Sequence, residues 1–256
     1  MRALTHAARR GLAALAIVLI VPLSTAAQDL PDASEVVDRY VQAMGGRDRL
    51  LAHQNSRSAG SFSMPAAGMS GQLVVLSAPG RVLQRVDIEG YGSSVSGYNG
   101  EVGWSMDPNL GPRLLEGKEL EALKEGATIE AALRSAEAYD VRETMERTEM
   151  NGEPCYKVRF VSKAGRETVD CFSTETGLRV GTTAAQETPM GELEVVTLFS
   201  DYQAFDGIPT PTRITQQIYG NEQLLTIDSV EYDVVEDAEF DPPPAIRTLI
   251  EQQSGR

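Results

Sequence analysis

Beyond residue 31 the apolar positions first recur at helical spacing and then, for most of the chain, at every second residue. Val36, Val37, Tyr40, Val41 and Met44 share one helix face. Asp32 stands as N-cap, with Pro31 before it and Glu35 three residues on in the manner of a capping box. Gly45-Gly46 closes the helix, and residues 47–53 leave room for a further turn or two. The period then switches to two, which predicts strands over 56–64, 72–76, 81–88, 93–98 and 102–106. Asn99-Gly100 gives a strong hairpin signal between the last two. Over 115–139 the spacing becomes helical again: Leu120, Leu123, Ile129, Ala132, Leu133 and Ala136 fall on apolar faces. Gly126-Ala127-Thr128 interrupts them, so two short helices fit best.

The second half is almost unbroken alternation. Strands are predicted over 141–150, 155–162, 167–173, 178–187, 192–200, 212–219 and 223–234. Their turns include Asn151-Gly152, Ala164-Gly165, Thr176-Gly177, Met190-Gly191, Asp206-Gly207 and Gly220-Asn221. Asp241-Pro242-Pro243-Pro244 ends the pattern, and residues 245–256 read as a polar tail. About eleven or twelve strands joined by short turns make an antiparallel meander, and that many must curl. The fold class expected is therefore mainly β: a strongly curved antiparallel sheet forming an incomplete, half-open barrel. The leading helix and the mid-chain helical segment lie across its concave face and enclose an apolar hollow.

The first 27 residues carry a different pattern. Arg2, Arg9 and Arg10 precede an apolar stretch of about 13 residues from Gly11 to Leu23, then Ser24-Thr25-Ala26-Ala27. This is the layout of a secretory signal peptide cleaved near Ala27. The competing reading, a membrane anchor, is disfavoured because the stretch falls short of the roughly 18–20 residues needed to span. A single β domain over 28–244 is expected in the periplasm. Without the three leader arginines, 20 Lys+Arg face 37 Asp+Glu, a net charge near −17. A surface of that sign repels nucleic acid, which sets that partner class aside.

Candidate chemistry is sparse. His53 is the single histidine after the leader and sits at the end of the first helical region, so a His-rich metal site or a Ser-His-Asp triad has no support. Asp201, Asp206, Glu231, Asp233, Glu236, Asp237, Glu239 and Asp241 could supply a carboxylate pair or an oxygen cluster, yet they fit an acidic solvated face better. No nucleotide fingerprint is present. The expectation is a protein that is not an enzyme and needs no cofactor.

Cys155 and Cys171 flank a predicted hairpin at equal parity, so both lie on one face. Pairing Arg159 opposite Glu167 also sets the cysteines opposite each other, and a disulfide follows. Pairing Tyr156 opposite Phe172 leaves the sulfurs diagonal and, by the usual spacing, too far apart. An exported protein favours the bonded register. Trp104 is the only tryptophan, either a core anchor or a ring at the mouth of the hollow. Alternate positions Leu73, Val75, Val86, Ile88, Trp104 and Met106 are the candidates for lining a ligand cavity.

Four stretches resemble the LolA/LolB-like superfamily, in its branch of periplasmic lipoprotein-sorting proteins. They are Ala43-Met44-Gly45-Gly46 with Leu50; Tyr98-Asn99-Gly100-Glu101-Val102-Gly103-Trp104; Asp170-Cys171-Phe172-Ser173-Thr174-Glu175-Thr176-Gly177-Leu178; and Phe199-Ser200-Asp201-Tyr202 with Asp206-Gly207-Ile208-Pro209 and Pro211. The resemblance implies an incomplete barrel closed by helices, with a cavity for the acyl chains of a lipid or lipoprotein. It implies a monomeric carrier that exchanges cargo with an inner- or outer-membrane envelope protein. The alternative is a sensor or accessory subunit of the same fold that binds a protein partner. No lipoprotein-holding residue aligns with one here, so none is carried over.

Overall fold

The fold was described from a computed structural model over residues 30–188, 191–218 and 220–254. The leader expected over residues 1–27 lies outside the described residues.

Helix α1 (Ala33–Ala43) opens the described chain, and the Asp32 carboxylate accepts the Ser34 N–H at 2.8 Å. This cap is simpler than the box expected with Glu35, because Asp32 bonds the second residue of the helix and not the third. A one-turn helix, α2 (Arg47–Leu50), follows the glycine pair. Six strands then form the first meander: β1 (Ser56–Met64), β2 (Met69–Ala78), β3 (Arg81–Ile88), β4 (Gly92–Tyr98), β5 (Gly103–Asp107) and β6 (Gly111–Leu114). Helices α3 (Gly117–Gly126) and α4 (Ile129–Ala132) carry the chain across to a second meander. That meander is β7 (Tyr139–Met150), β8 (Glu153–Ser162), β9 (Glu167–Ser173), β10 (Arg179–Thr188), β11 (Gly191–Phe205), β12 (Ile208–Ile218) and β13 (Asn221–Tyr232). Helix α5 (Pro244–Ser254) ends the described chain.

All thirteen strands belong to one antiparallel sheet, ordered β6-β5-β4-β3-β2-β1-β13-β12-β11-β10-β9-β8-β7. Each meander pairs sequential neighbours, and β1 against β13 joins the two. The edges β6 and β7 are not paired with each other, so the barrel is half-open, as the strand count predicts.

Four expectations are corrected. β6 was not foreseen: it is a four-residue edge strand, and Pro112 inside it reads as a break, though an edge tolerates proline. The stretch expected as a polar tail forms α5, which lies against β6 and buries Ile246 completely. Its apolar residues are few but helically spaced, and Pro244 suits a helix start. The Asn99-Gly100 hairpin exists but its loop runs over four residues. The Asn99 side chain accepts the N–H groups of Glu101 and Val102 at 3.0 and 2.9 Å, an Asx turn in place of a two-residue turn. Asn151-Gly152 does make the two-residue turn, with φ of 52° and 81°.

The cysteine register is the fourth correction, and its outcome is mixed. Tyr156 pairs with Phe172 and Cys155 with Ser173, the register expected to keep the sulfurs apart. Cys155 and Cys171 are nevertheless bonded, with Cα atoms 5.6 Å apart. Right-handed twist shortens one diagonal of an antiparallel pair and lengthens the other. Both Cys155–Cys171 and the 2.7 Å Arg159–Glu167 hydrogen bond span that short diagonal.

Inward side chains of β8 and β9 (Val158, Phe160 and Phe172) pack with Val36, Val37 and Tyr40 of α1. On the outer face of the first meander, Leu76 and Ala78 lie under Val235 and Phe240 of the segment after β13. The Arg81 guanidinium stands 4.9 Å over the Phe240 ring.

The disulfide closes a loop with a sequence separation of 16. The double variant Cys155→Ala/Cys171→Ala is expected to lose about 3 kcal/mol of stability, measured by chemical denaturation. Wild type with reductant should fall to the same value.

Candidate functional site

Strand alternation decides which residues see the hollow. Gly103 of β5 faces inward: Leu120 Cδ1 of α3 lies 2.6 Å from where a Cβ on Gly103 would stand. Ser105 shares that face, and Ser96 and Ser94 of β4 continue it through direct pairing. Across the hollow, Thr182 of β10, Thr197 of β11 and Gln216 of β12 sit side by side in register. Ala184 and Val195 form the next row. Leu115, Ala122 and Leu123 supply the roof along α3. Together these enclose a cavity of about 860 Å³.

Helix α3 buries none of its residues fully. Ion pairs hold it on both sides. Arg113 of β6 makes a two-pronged contact with Glu119 at 2.6 and 2.8 Å. Arg166, in the β8–β9 turn, grips Glu125 at 2.8 and 3.1 Å. Lys118 reaches Glu192 of β11 at 3.1 Å.

Beside the Thr182 wall lies a buried ion pair. Asp170 is fully buried, pairs with Thr182 across β9 and β10, and receives the Arg134 Nε–H at 2.6 Å. Arg179 stands 3.6 Å from the same oxygen. Burial alone would push the Asp170 carboxyl up, but Arg134 and Arg179 outweigh it and hold it below the usual value. Arg134 leaves α4 with φ of 54°, which aims its side chain back to donate to the Ala131 carbonyl and the Tyr139 hydroxyl. Burial pushes the Tyr139 hydroxyl up to about 12, so it stays protonated and donates to Glu125 at 3.2 Å. A continuous chain of charged and polar contacts thus runs from the sheet interior to the roof helix.

The six residues expected as candidates for a ligand cavity do not border this one. Leu73 and Val86 are on the concave face but buried in a cluster with Phe62, Leu225 and Ile227, where Leu73 keeps 1% exposure, and Val75 and Ile88 pack partly buried against it. Trp104 and Met106 point to the opposite face. Trp104 is fully buried there with its ring over Gly97, whose Cβ would meet it at 2.6 Å. That is the core-anchor reading. The residues that do line the cavity are mainly small and polar, and the search for alternating apolar positions passes over them. Ser94 and Ser96, at inward positions of a strand, were the legible signal.

His53 is remote from the cavity. Its ring lies between Asp233 (2.9 Å) and Asp206 (3.3 Å) and stacks on Tyr232 with centroids 4.1 Å apart. Several carboxylates expected on a solvated face are tied as well, Glu239 to Arg57 and Asp237 to Arg81. Among the described residues no group of three or more His, Cys, Asp and Glu side chains is placed to hold a metal.

No family model matches the sequence, and no curated protein matches it either. Solved structures do. A LolA superfamily protein from Nitrosomonas europaea superposes with a TM-score of 0.55 at 11% identity, over 83% of this chain and 99% of that one. The two chains share a fold. A DUF1329 family protein from Desulfovibrio piger gives 0.47 at 17% identity, over 83% and 98% of the two chains. An uncharacterised conserved protein from Thermus thermophilus gives 0.36 at 9%, over 83% and 96%.

Asp170→Asn is expected to cost about 3–5 kcal/mol at pH 7, since it leaves Arg134 buried without its counter-charge. A carboxyl held below its ordinary value contributes stability that is present above that value and lost as pH falls through the lowered one. The gap between wild type and variant should therefore narrow below about pH 4, measured as melting temperature against pH.

Proposed function

We propose that this protein is a binding protein of the cell envelope that shields a lipid-type, amphipathic ligand in the cavity beneath α3 and performs no chemistry on it. The observation that carries this reading is the cavity itself. Its 860 Å³ lies within the range of about 300–1,000 Å³ found for small-molecule sites. Leu115, Ala122 and Leu123 above, with Ala184 and Val195 below, offer an apolar seat for part of an acyl chain.

The roof favours entry and exit. Because α3 is held by ion pairs and not by a buried face, its displacement exposes little apolar surface. Transfer between membrane partners then runs down a gradient of affinity and needs no cofactor. The disulfide supports work in an oxidising compartment, in agreement with the secretory pattern of residues 1–27. A monomer suffices for this role.

A second reading, a sensor or accessory subunit that binds an envelope protein, is favoured by one observation. The edge strand β7, twelve residues long and paired with β8 on one side, turns its other row of backbone groups to an added strand. Its side chains argue the other way, since Glu143, Glu146, Arg147 and Glu149 put charge along it, a usual defence against edge pairing.

The protein purified from its own envelope without detergent should carry a near-stoichiometric lipid or acylated ligand in native mass spectrometry. Ala184→Trp, which puts an indole on the apolar seat, should weaken uptake of a fluorescent acyl-chain probe while circular dichroism stays unchanged. A clean apo mass, with no uptake of that probe by wild type, would overturn the lipid reading in favour of the protein-partner one.

A further inference from the structure

Most of the cavity's surface is apolar, but two rows of neutral polar side chains face into it. Ser94, Ser96 and Ser105 face it from the first meander, and Thr182, Thr197 and Gln216 face it from the second. Within the protein, among the described residues, no hydrogen bond engages the hydroxyls of Ser94, Ser96 or Ser105. Gln216 reaches Thr197 only at 3.5 Å. The serine hydroxyls open onto the solvent-filled volume, where a ligand can replace water, and Thr182 Oγ1 is buried without a hydrogen-bond partner among the described residues.

The charged groups around the same cavity are all spoken for. Arg113 is held by Glu119, Arg166 by Glu125 and Lys118 by Glu192. Glu121 is paired with Lys124 and Glu167 with Arg159. A phosphate or carboxylate entering here would have to break an ion pair to find a cation, and a cationic headgroup would have to break one to find an anion. What stays free to bond a ligand is neutral: hydroxyls and the carboxamides of Gln186 and Gln216.

The apolar part of the concave face offers little alternative. Phe62, Leu73, Val86, Leu225 and Ile227 already fill one another's space, each with less than a tenth of its surface exposed. A long hydrocarbon chain has only the α3 underside and the Ala184–Val195 row to lie on.

We infer that the two polar walls of this cavity take an uncharged, hydroxyl-rich group, a sugar or glycerol-type polyol. The inference rests on the binding reading above and specifies the part of the ligand that gives it selectivity. Facing rows of donors and acceptors suit a ring of hydroxyls, each of which both donates and accepts. A ligand without them leaves the walls unsatisfied once water is displaced. The chemistry is the same whether the polyol is the headgroup of a lipid or a free saccharide.

The test compares three probes by titration calorimetry on the full mature chain: n-dodecyl-β-maltoside and dodecanoate, both below their micelle-forming concentrations, and maltose. The maltoside is expected to bind at least about 10-fold more tightly than dodecanoate, which has the same chain length and a charged head. Ser94→Ala/Ser96→Ala should lower maltoside affinity about 10-fold, leave dodecanoate unaffected and leave the melting temperature unchanged. Dodecanoate binding as tightly as the maltoside overturns the polyol inference and leaves the lipid-binding reading standing. Maltose alone matching the maltoside supports the polyol inference with a free saccharide as its source, and overturns the acyl part of that reading. Failure of all three probes overturns both. Unchanged maltoside affinity in the serine variant overturns the placement on these walls.

Discussion

The pairing of β1 with β13 is the contact on which the rest of the architecture depends. Each meander on its own is a run of sequential hairpins that curls and leaves two open edges. Joining the first strand to the last makes one sheet of them and sends β6 and β7 to its opposite ends. The chain must then travel from one edge to the other between β6 and β7. The shortest route crosses the concave side, and α3 and α4 take it. The cavity and its roof follow from one strand pairing.

That pairing leaves a consequence in the electrostatics. A crossing segment laid over a hollow has little solid surface beneath it: Leu120 and Leu123 reach Gly103, but no residue of α3 is fully buried. Polar contacts do the work, and they reach inward by stages. Arg166 and Tyr139 hold Glu125 on α3, Arg134 holds Tyr139, and Asp170 on β9 holds Arg134. Only the innermost pair is fully removed from water, so only there does loss of one partner strand a charge in the interior. The outer pairs, near the surface, are each worth about 1 kcal/mol or less and can exchange with solvent. The roof is therefore anchored firmly at α4 and lightly along α3.

Much of this was legible in the alternation of the chain. β1, β3 and β9 have the bounds that period-two spacing predicts, and the interruption at Gly126-Ala127-Thr128 divides α3 from α4. What spacing cannot show is which partner a strand finds or how far it twists. The cysteine hairpin shows this: the register went to Tyr156–Phe172, and twist still brought the sulfurs together. A segment such as α5 hides for a related reason. Its amphipathicity is slight, and it is a helix because β6 offers a surface to cover. Spacing also passed over the lining of this cavity, because its inward residues are small or polar and the alternation singles out apolar ones. In a sheet that curls, inward apolar residues near the closed side simply meet each other.

That last point explains why a hollow survives at all. The concave face has three zones with different side-chain sizes. Next to α1, Val158, Phe160 and Phe172 meet Val36, Val37 and Tyr40 and leave no space. Near the β1–β13 junction, Phe62, Leu73 and Leu225 do the same. Between them the inward positions are Ser94, Ser96, Ser105, Thr182 and Ala184, too short to reach across. Were that zone apolar as well, collapse around it would be favoured, because an empty apolar void forfeits dispersion contacts. Hydroxyl-bearing walls keep it hydrated and open. The flanking zones supply the stability that the middle gives up, so the volume can be occupied or emptied without the sheet having to repack.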